Sequence, residues 1–328
     1  MTMSRARRRL LGLCAAAAAW PALPALAREA TAARAPRAGD EADAVMAGLD
    51  LSGRTILVTG CNSGIGFETM RVLAGCGAHV IGTARDAARG RDACAAVDGR
   101  ATPVVLELTD QASIVACADR VRALAPRLDA VVCNAGIVLG AHERVGAVEK
   151  QFAVNHLGHF LLVNRLIDRV LAAPEGRVVT VGSGNHRDAP DGGIQFDRLD
   201  GEGWWERGYS HSKLANGLFS WKLARRLAGT AATSNCVTPG HTRTAILRST
   251  GSKYGENART PAQGAAMPCY AAAHPAMAGI NGAYMSDFAP ARQSASQTDA
   301  AMAARLWQVS ESLVAPHLQP WPVALRGG

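Results

Sequence analysis

From Leu51 onward, short apolar runs alternate with longer helical stretches, and no other feature of the sequence constrains its fold as strongly. Thr55–Thr59 (TILVT), Ala78–Thr83 (AHVIGT), Thr102–Leu108 (TPVVLEL), Leu128–Asn134 (LDAVVCN), Gly176–Val181 (GRVVTV) and Thr233–Val237 read as strands. Helical patterns cover Gly64–Gly75 and, between the later strands, residues 86–97, 111–125, 146–172 and 207–229. Strands that are apolar on both faces are covered on both faces, and helices between them imply parallel pairing. The predicted fold is α/β, a doubly wound (Rossmann-type) three-layer sandwich whose mostly parallel sheet has about seven strands.

At 328 residues and 48% hydrophobic, the chain can bury a sizeable core, and no internal repeat divides it. One domain is expected at 51–315, with loop-rich segments at 184–206 and 241–262, where such folds place function. The Ala-, Arg- and Pro-rich residues 28–50 read as a linker, and 316–328 as a C-terminal tail. Residues 1–27 read as an export signal. Arg5, Arg7, Arg8 and Arg9 come first, Leu10 to Ala19 is apolar, and Ala25-Leu26-Ala27 offers a small-x-small cleavage site. Arg7-Arg8-Arg9-Leu10-Leu11 has the twin-arginine pattern, which predicts a periplasmic protein. A true start at Met46 would instead give a cytoplasmic one. The apolar run is too short for a stable membrane span, and the apolar stretch 271–285 reads as core or as a subunit surface.

The formal charge is +8, four of it from the arginines of the N-terminal segment, and no basic patch suited to nucleic acid follows. The eight cysteines include no Cys-x-x-Cys and read as free buried thiols, which suits folding in a reducing compartment. His156 and His159 are three residues apart, but no third ligand accompanies them, so no metal is expected.

Chemistry concentrates in a few places. Gly60, Asn62, Ser63, Gly64, Ile65 and Gly66 turn the chain from the first strand into the first helix, where backbone amides can cradle a diphosphate. Tyr209 and Lys213, four apart on a helix, share one face. An ammonium near a phenol favours the phenolate and lowers its pKa, which makes Tyr209 an acid/base for neutral pH. At the end of the second strand stands Ala84-Arg85-Asp86. An acidic residue in place of Ala84 would select NAD, whereas Arg85 can pair with a 2′-phosphate, which favours NADP(H). NAD(H) stays open if Asp86 reads the ribose and Arg85 is merely solvated. Trp204 and Trp205 either line a substrate cleft or anchor their loop.

The spacing Gly-x-x-x-Gly-x-Gly, followed in order by Asn134-Ala135-Gly136, Asn155, Ser183, the Tyr-x-x-x-Lys of 209–213 and Pro239-Gly240, resembles the short-chain dehydrogenase/reductase family over residues 51–250. NHLGHF at 155–160, IQFDRLDGEGW at 194–204, SKLANGLF at 212–219 and the 26-residue step from Ser183 to Tyr209 resemble its retinol-dehydrogenase-like and WW-domain-oxidoreductase-like branch. The resemblance implies hydride transfer between NADP(H) and a lipophilic alcohol, aldehyde or ketone. It implies that Lys213 also holds the nicotinamide ribose, Ser183 holds the substrate oxygen, and Asn155 bends its helix around a water that links Lys213 to solvent. Glu107-Leu108 stands where relatives carry Asp-Leu beside adenine, and Thr244 where a threonine touches the nicotinamide amide; read from the residues alone, Thr244 is equally a helix N-cap. A homodimer or homotetramer packed through the helices at 146–172 and 207–229 is implied as well. The alternative is an NADP(H)-binding regulatory or interaction protein without catalysis.

Overall fold

A computed structural model describes residues 34–246 and 255–325. The segment 1–27, expected to be an export signal, lies outside the described residues. In chain order the elements are α1 (Ala42–Met46), β1 (Thr55–Val58), α2 (Gly64–Gly75), β2 (His79–Ala84), α3 (Ala87–Ala95), β3 (Arg100–Val105), α4 (Gln111–Leu124) and β4 (Ala130–Cys133). A hairpin of β5 (Arg144–Val145) and β6 (Val148–Glu149) follows. α5 (Lys150–Phe152), a π-helical turn (Ala153–Leu157) and α6 (Gly158–Leu171) then run on without a break. The remainder comprises β7 (Arg177–Val181), α7 (Gly208–Arg226), β8 (Thr233–Val237), α8 (Pro261–Ala273), β9 (Tyr284–Ser286), β10 (Ala289–Pro290) and α9 (Ala300–Leu313).

Eight strands form one sheet in the order β10-β9-β8-β7-β4-β1-β2-β3. All neighbours are parallel except the β9–β10 edge pair. Side chains alternate between two cores: Leu57 faces one, while Ile56 and Val58 face the other. This is the doubly wound α/β fold that the apolar runs predict. β1 and β4 are paired at Ile56↔Ala130, where the strand order reverses, and a cleft opens beyond their C-terminal ends.

Three boundaries differ from expectation. The helix expected from residue 146 begins instead as the β5–β6 hairpin, because Gly146 turns the chain with φ +57° and Arg144 pairs with Glu149. Of the residues read as a linker, 34–50 belong to the compact unit that begins at Arg34. Ala42, Val45 and Met46 of α1 are buried, and Asp43 grips Arg71 of α2 through both oxygens, at 2.9 and 2.5 Å. A five-residue helix is too short to display a period in sequence. The supposed tail is also structural through Leu325, which is buried along with Trp321. The 271–285 stretch contributes Ala271, Ala272, Ala273, Met277, Tyr284 and Met285 to the core, while Pro275, Ala276, Ala278, Gly279 and Asn281 between them are exposed.

The C-terminal segment also bears on assembly. Trp307 and Trp321 pack edge-on against Phe160 of α6, and both indole N–H groups donate to Glu311. Asn164 exchanges two hydrogen bonds with Gln319, at 2.9 and 2.8 Å, and Arg165 donates to His317 O. Only Arg165, Asp168, Arg169 and Leu171 of α6, and Tyr209, Lys222, Arg225 and Arg226 of α7, escape full burial. The chain's own C-terminal segment thus covers part of the surface of the two helices through which a dimer is expected. Sedimentation should find the full chain as a monomer of 34.2 kDa. Ending the chain after Asp299 should bare Phe160 and Phe219 and drive association; a stable dimer of the full chain would contradict this packing.

Candidate active site

The cleft encloses 1280 Å³ and is lined by Gly60, Asn62, Ser63, Gly64, Ile65 and Gly66 of the glycine turn. Gly60 adopts φ +74°. A side chain at Gly66 would meet Gly60 O at 2.1 Å and Asn134 Nδ2 at 2.5 Å, so the turn closes only with glycine there. The helices α3, α4, α8 and α9 each receive a side-chain cap, from Asp86, Asp110, Thr260 and Asp299 respectively. α2 receives none, although Ser63 stands at its N-cap. Its first amides are left for an anion in the cleft, which fits a dinucleotide diphosphate.

Behind the turn lies a buried hydrogen-bond hub. The Thr59 hydroxyl accepts from Asn134 N and Ala135 N, both at 2.9 Å, and lies 2.9 Å from His159 Nε2. His159 Nδ1 lies 3.0 Å from Asn155 O, a pure acceptor. Nδ1 must therefore carry the proton and Nε2 must accept from Thr59. Asn134 Nδ2 donates to Thr59 O at 2.8 Å. The ends of β1 and β4 are thereby tied to the π-helical turn that carries Asn155.

Ser183, Tyr209 and Lys213 line the cleft together, with Asn134, Ala135 and Gly136. Ser183 caps the short 3₁₀ helix Gly184–Asp188, and His186 Nδ1 donates to its carbonyl at 2.8 Å. Asn155 is brought close but stands in the layer behind. Its Oδ1 accepts from Ile137 N at 2.8 Å, and its Nδ2 reaches Ile137 O at 3.0 Å and Ser212 Oγ at 2.9 Å. A side chain at Gly136 would stand 3.1 Å from Asn155 Oδ1 and 3.8 Å from Lys213 Nζ, so this glycine lets the two groups approach one another. The bend expected at Asn155 is the π-helical turn itself. The electrostatics of the pair differ from expectation. Lys213 Nζ donates to Val181 O at 2.8 Å, 5.5 Å from the Tyr209 ring centre, and burial pushes the ammonium down to about 8. Burial raises the Tyr209 phenol, and the Ser183 hydroxyl beside it pulls it back down.

At the far end, Arg85, Arg89, Glu107 and Leu108 line the cleft, and β3 ends at Val105, before the last two. Glu107 Oε1 is taken by Thr109 N and Oγ1. The Asp86 carboxylate caps α3 by accepting from Arg89 N at 2.8 Å, and Asp86 is not among the lining residues. Pro239, Gly240 and Thr244 line the other wall; a side chain at Gly64 would stand 3.4 Å from Thr244, just before helical Ala245 and Ile246. Trp204 and Trp205 anchor their loop instead of lining the cleft. Trp204 Nε1 donates to Arg198 O at 2.7 Å while its ring packs on His211, and Trp205 stacks on His142.

The match to known proteins agrees with this geometry. Residues 54–255 match the short chain dehydrogenase family model. The chain belongs to the short chain dehydrogenase family. It is 35% identical to human retinol dehydrogenase 12 over 280 residues, 81% of this chain and 88% of that one. It is 34% identical to human WW domain-containing oxidoreductase over 294 residues, 84% of this chain and 71% of that one. A crystal structure of a Mycobacterium paratuberculosis protein superposes with TM-score 0.69 at 31% identity, covering 84% and 97%. A Shigella flexneri short chain dehydrogenase solved with NADP superposes with TM-score 0.54 at 25% identity, covering 65% of this chain and 87% of that one. As a short chain dehydrogenase the chain is an oxidoreductase acting on CH–OH groups.

Sequence reading missed several parts of this dehydrogenase site. His159 drew notice only for its spacing from His156, and only the fold brings it to Thr59, 100 positions away. Arg259 donates to Pro239 O at 3.2 Å and pairs with Asp287 at 2.5 Å, fixing the Pro239-Gly240 wall. His156 bonds Ser310 at 2.9 Å, and no cluster of metal-ligating residues occurs among the described residues. All seven described cysteines are free, and six of them are buried.

Burial holds His156, His159 and His211 neutral, pushing them down to about 3, 4 and 3. Below pH 6.5 the unfolded chain takes up protons that these folded rings refuse. Stability should therefore be full above pH 6.5 and fall toward pH 4, by up to about 1.4 kcal/mol per pH unit for each ring. Urea titrations across that range should show His156→Asn flattening the slope by one proton; an unchanged slope would mean that this ring is charged in the fold.

Proposed function

We propose that the protein is an NADP(H)-dependent oxidoreductase that interconverts a lipophilic alcohol and its carbonyl, with Tyr209 as general acid/base. The observation that carries this reading is that the Ser183 hydroxyl, the Tyr209 phenol and the Lys213 ammonium line the same cleft as the uncapped start of α2. NADPH, when bound, supplies the hydride. The chain supplies the rest. Ser183 donates a hydrogen bond to the carbonyl oxygen, where negative charge develops. Tyr209 delivers the proton to that oxygen, and in the oxidative direction removes it. The Lys213 ammonium offsets the phenolate left behind. Asn155 works from behind, by fixing Ile137 and the Gly136 turn.

NADP is favoured over NAD because Arg85 and Arg89 line the adenosine end while Asp86 is consumed by its helix cap. Two cations suit a 2′-phosphate, and the Glu107 carboxylate at that end is engaged by Thr109. The NADP held by the Shigella relative points the same way. Residues 1–27 stay, on their sequence pattern, a proposed twin-arginine export signal.

The test is turnover of a panel of aldehydes and ketones, together with cofactor titrations. Tyr209→Phe should lose about 10²-fold or more in kcat while binding NADPH as the parent does. The parent should bind NADPH more tightly than NADH, and Arg85→Ala should erase that preference. Undiminished turnover by Tyr209→Phe would remove its acid/base role. Cofactor binding with no turnover of the whole panel by the parent would favour the regulatory alternative.

A further inference from the structure

One cation in the cleft is used neither by the chain nor by the function proposed above. Lys150 is paired with Glu143 at 2.7 Å, Lys213 is bonded to Val181 O, and Arg85 and Arg89 lie at the adenosine end. Arg187 lines the cleft beside Ser183. It lies on the 3₁₀ helix Gly184–Asp188, whose three-residue period stacks position 187 over Gly184. Its Nη1 would stand 3.9 Å from a side chain at Gly184, the residue that follows Ser183. Nη2 donates to Arg292 O at 2.8 Å, and Nη1 makes a long 3.5 Å contact with Gly184 O. Both partners are neutral carbonyls. Among the described residues no carboxylate comes within ion-pair distance of Arg187, in contrast to Arg198, Arg259 and Arg305. The guanidinium is thus oriented by the backbone, beside the Tyr284 hydroxyl, with no carboxylate in ion-pair reach to balance its charge.

Resting on the oxidoreductase reading, we propose that Arg187 is a substrate-recognition residue and that the preferred substrates are acidic: apolar carbonyl compounds carrying a carboxylate away from the reacting carbon. The carboxylate pairs with Arg187 while the carbonyl oxygen meets Ser183 and Tyr209. Glu206 also lines the cleft, with the opposite charge. Its charge disfavours an acid placed beside it.

The experiment compares a series of ω-oxo carboxylic acids of increasing chain length with their methyl esters, using NADPH, on the parent chain and on Arg187→Met. The parent should prefer the best acid to its ester by about tenfold or more in kcat/KM. Arg187→Met should lose that preference, mainly through KM, with the ester rates and the melting temperature nearly unchanged. Glu206→Gln should modestly improve use of the acid. An equal loss on acid and ester, or a parent that prefers the esters, would overturn the assignment. If no carbonyl compound is turned over, the oxidoreductase reading fails; calorimetric titration of the parent and Arg187→Met with the longest oxo acid still decides whether Arg187 binds carboxylate.

Discussion

The Thr59 hydroxyl is the point on which the site turns. It stands where β1 ends, accepts two amides from the end of β4 and donates to His159, whose other nitrogen holds the Asn155 carbonyl. Thr59, Asn155 and His159 are buried, Asn134 and Ala135 partly so, and each donor in this chain of contacts meets an acceptor. Leaving one of them without its partner would cost about 1–3 kcal/mol. The hub therefore fixes three things at once: the floor of the glycine turn, the Asn134-Ala135-Gly136 wall, and the π-helical turn from which Asn155 reaches Ile137. Because burial keeps His159 neutral, the hub keeps one tautomer across physiological pH.

Charge is distributed along the cleft with similar economy. The start of α2 lacks a side-chain cap, unlike α3 and α4, which leaves its amides for an anion. Asp86, which could have opposed a phosphate, is occupied in capping α3. Lys213 is buried and held by a backbone carbonyl two residues before Ser183, so its charge is delivered to a fixed place. Arg187 is similarly held by carbonyls, at the opposite end from Arg85.

Much of the fold was legible because its strands are apolar on both faces and α2 is bounded by glycines. Gly64–Gly75 and Thr233–Val237 fall where their patterns put them. The failures have physical causes. α1 and the β5–β6 hairpin are too short for any period to be visible, and their stability comes from contacts such as Asp43–Arg71 that link distant positions. The segment 316–328 looked like a tail because its anchors, Trp321 and Leu325, stand in a short, Pro-rich stretch with no helical or strand period. Of the site, the groups that line the cleft were readable from motif order. The layer behind them was not: His159, Ser212 and Arg259 gain their roles only when the sheet brings separate strand ends together. The direction of the Tyr209 shift was hidden for a related reason: spacing places Lys213 on the same helix face but does not reveal the burial that raises the phenol.

The account stands on direct passage of a hydride within this cleft, with the proton supplied by the chain. The most direct measurement uses NADPH deuterated at one face of the nicotinamide C4, an aldehyde or ketone that the protein accepts, and mass spectrometry of the alcohol formed. The account predicts that deuterium from one face only arrives on the former carbonyl carbon, while the hydroxyl proton comes from solvent. Product formed with no deuterium from either face, or with hydrogen from water on that carbon, would contradict it.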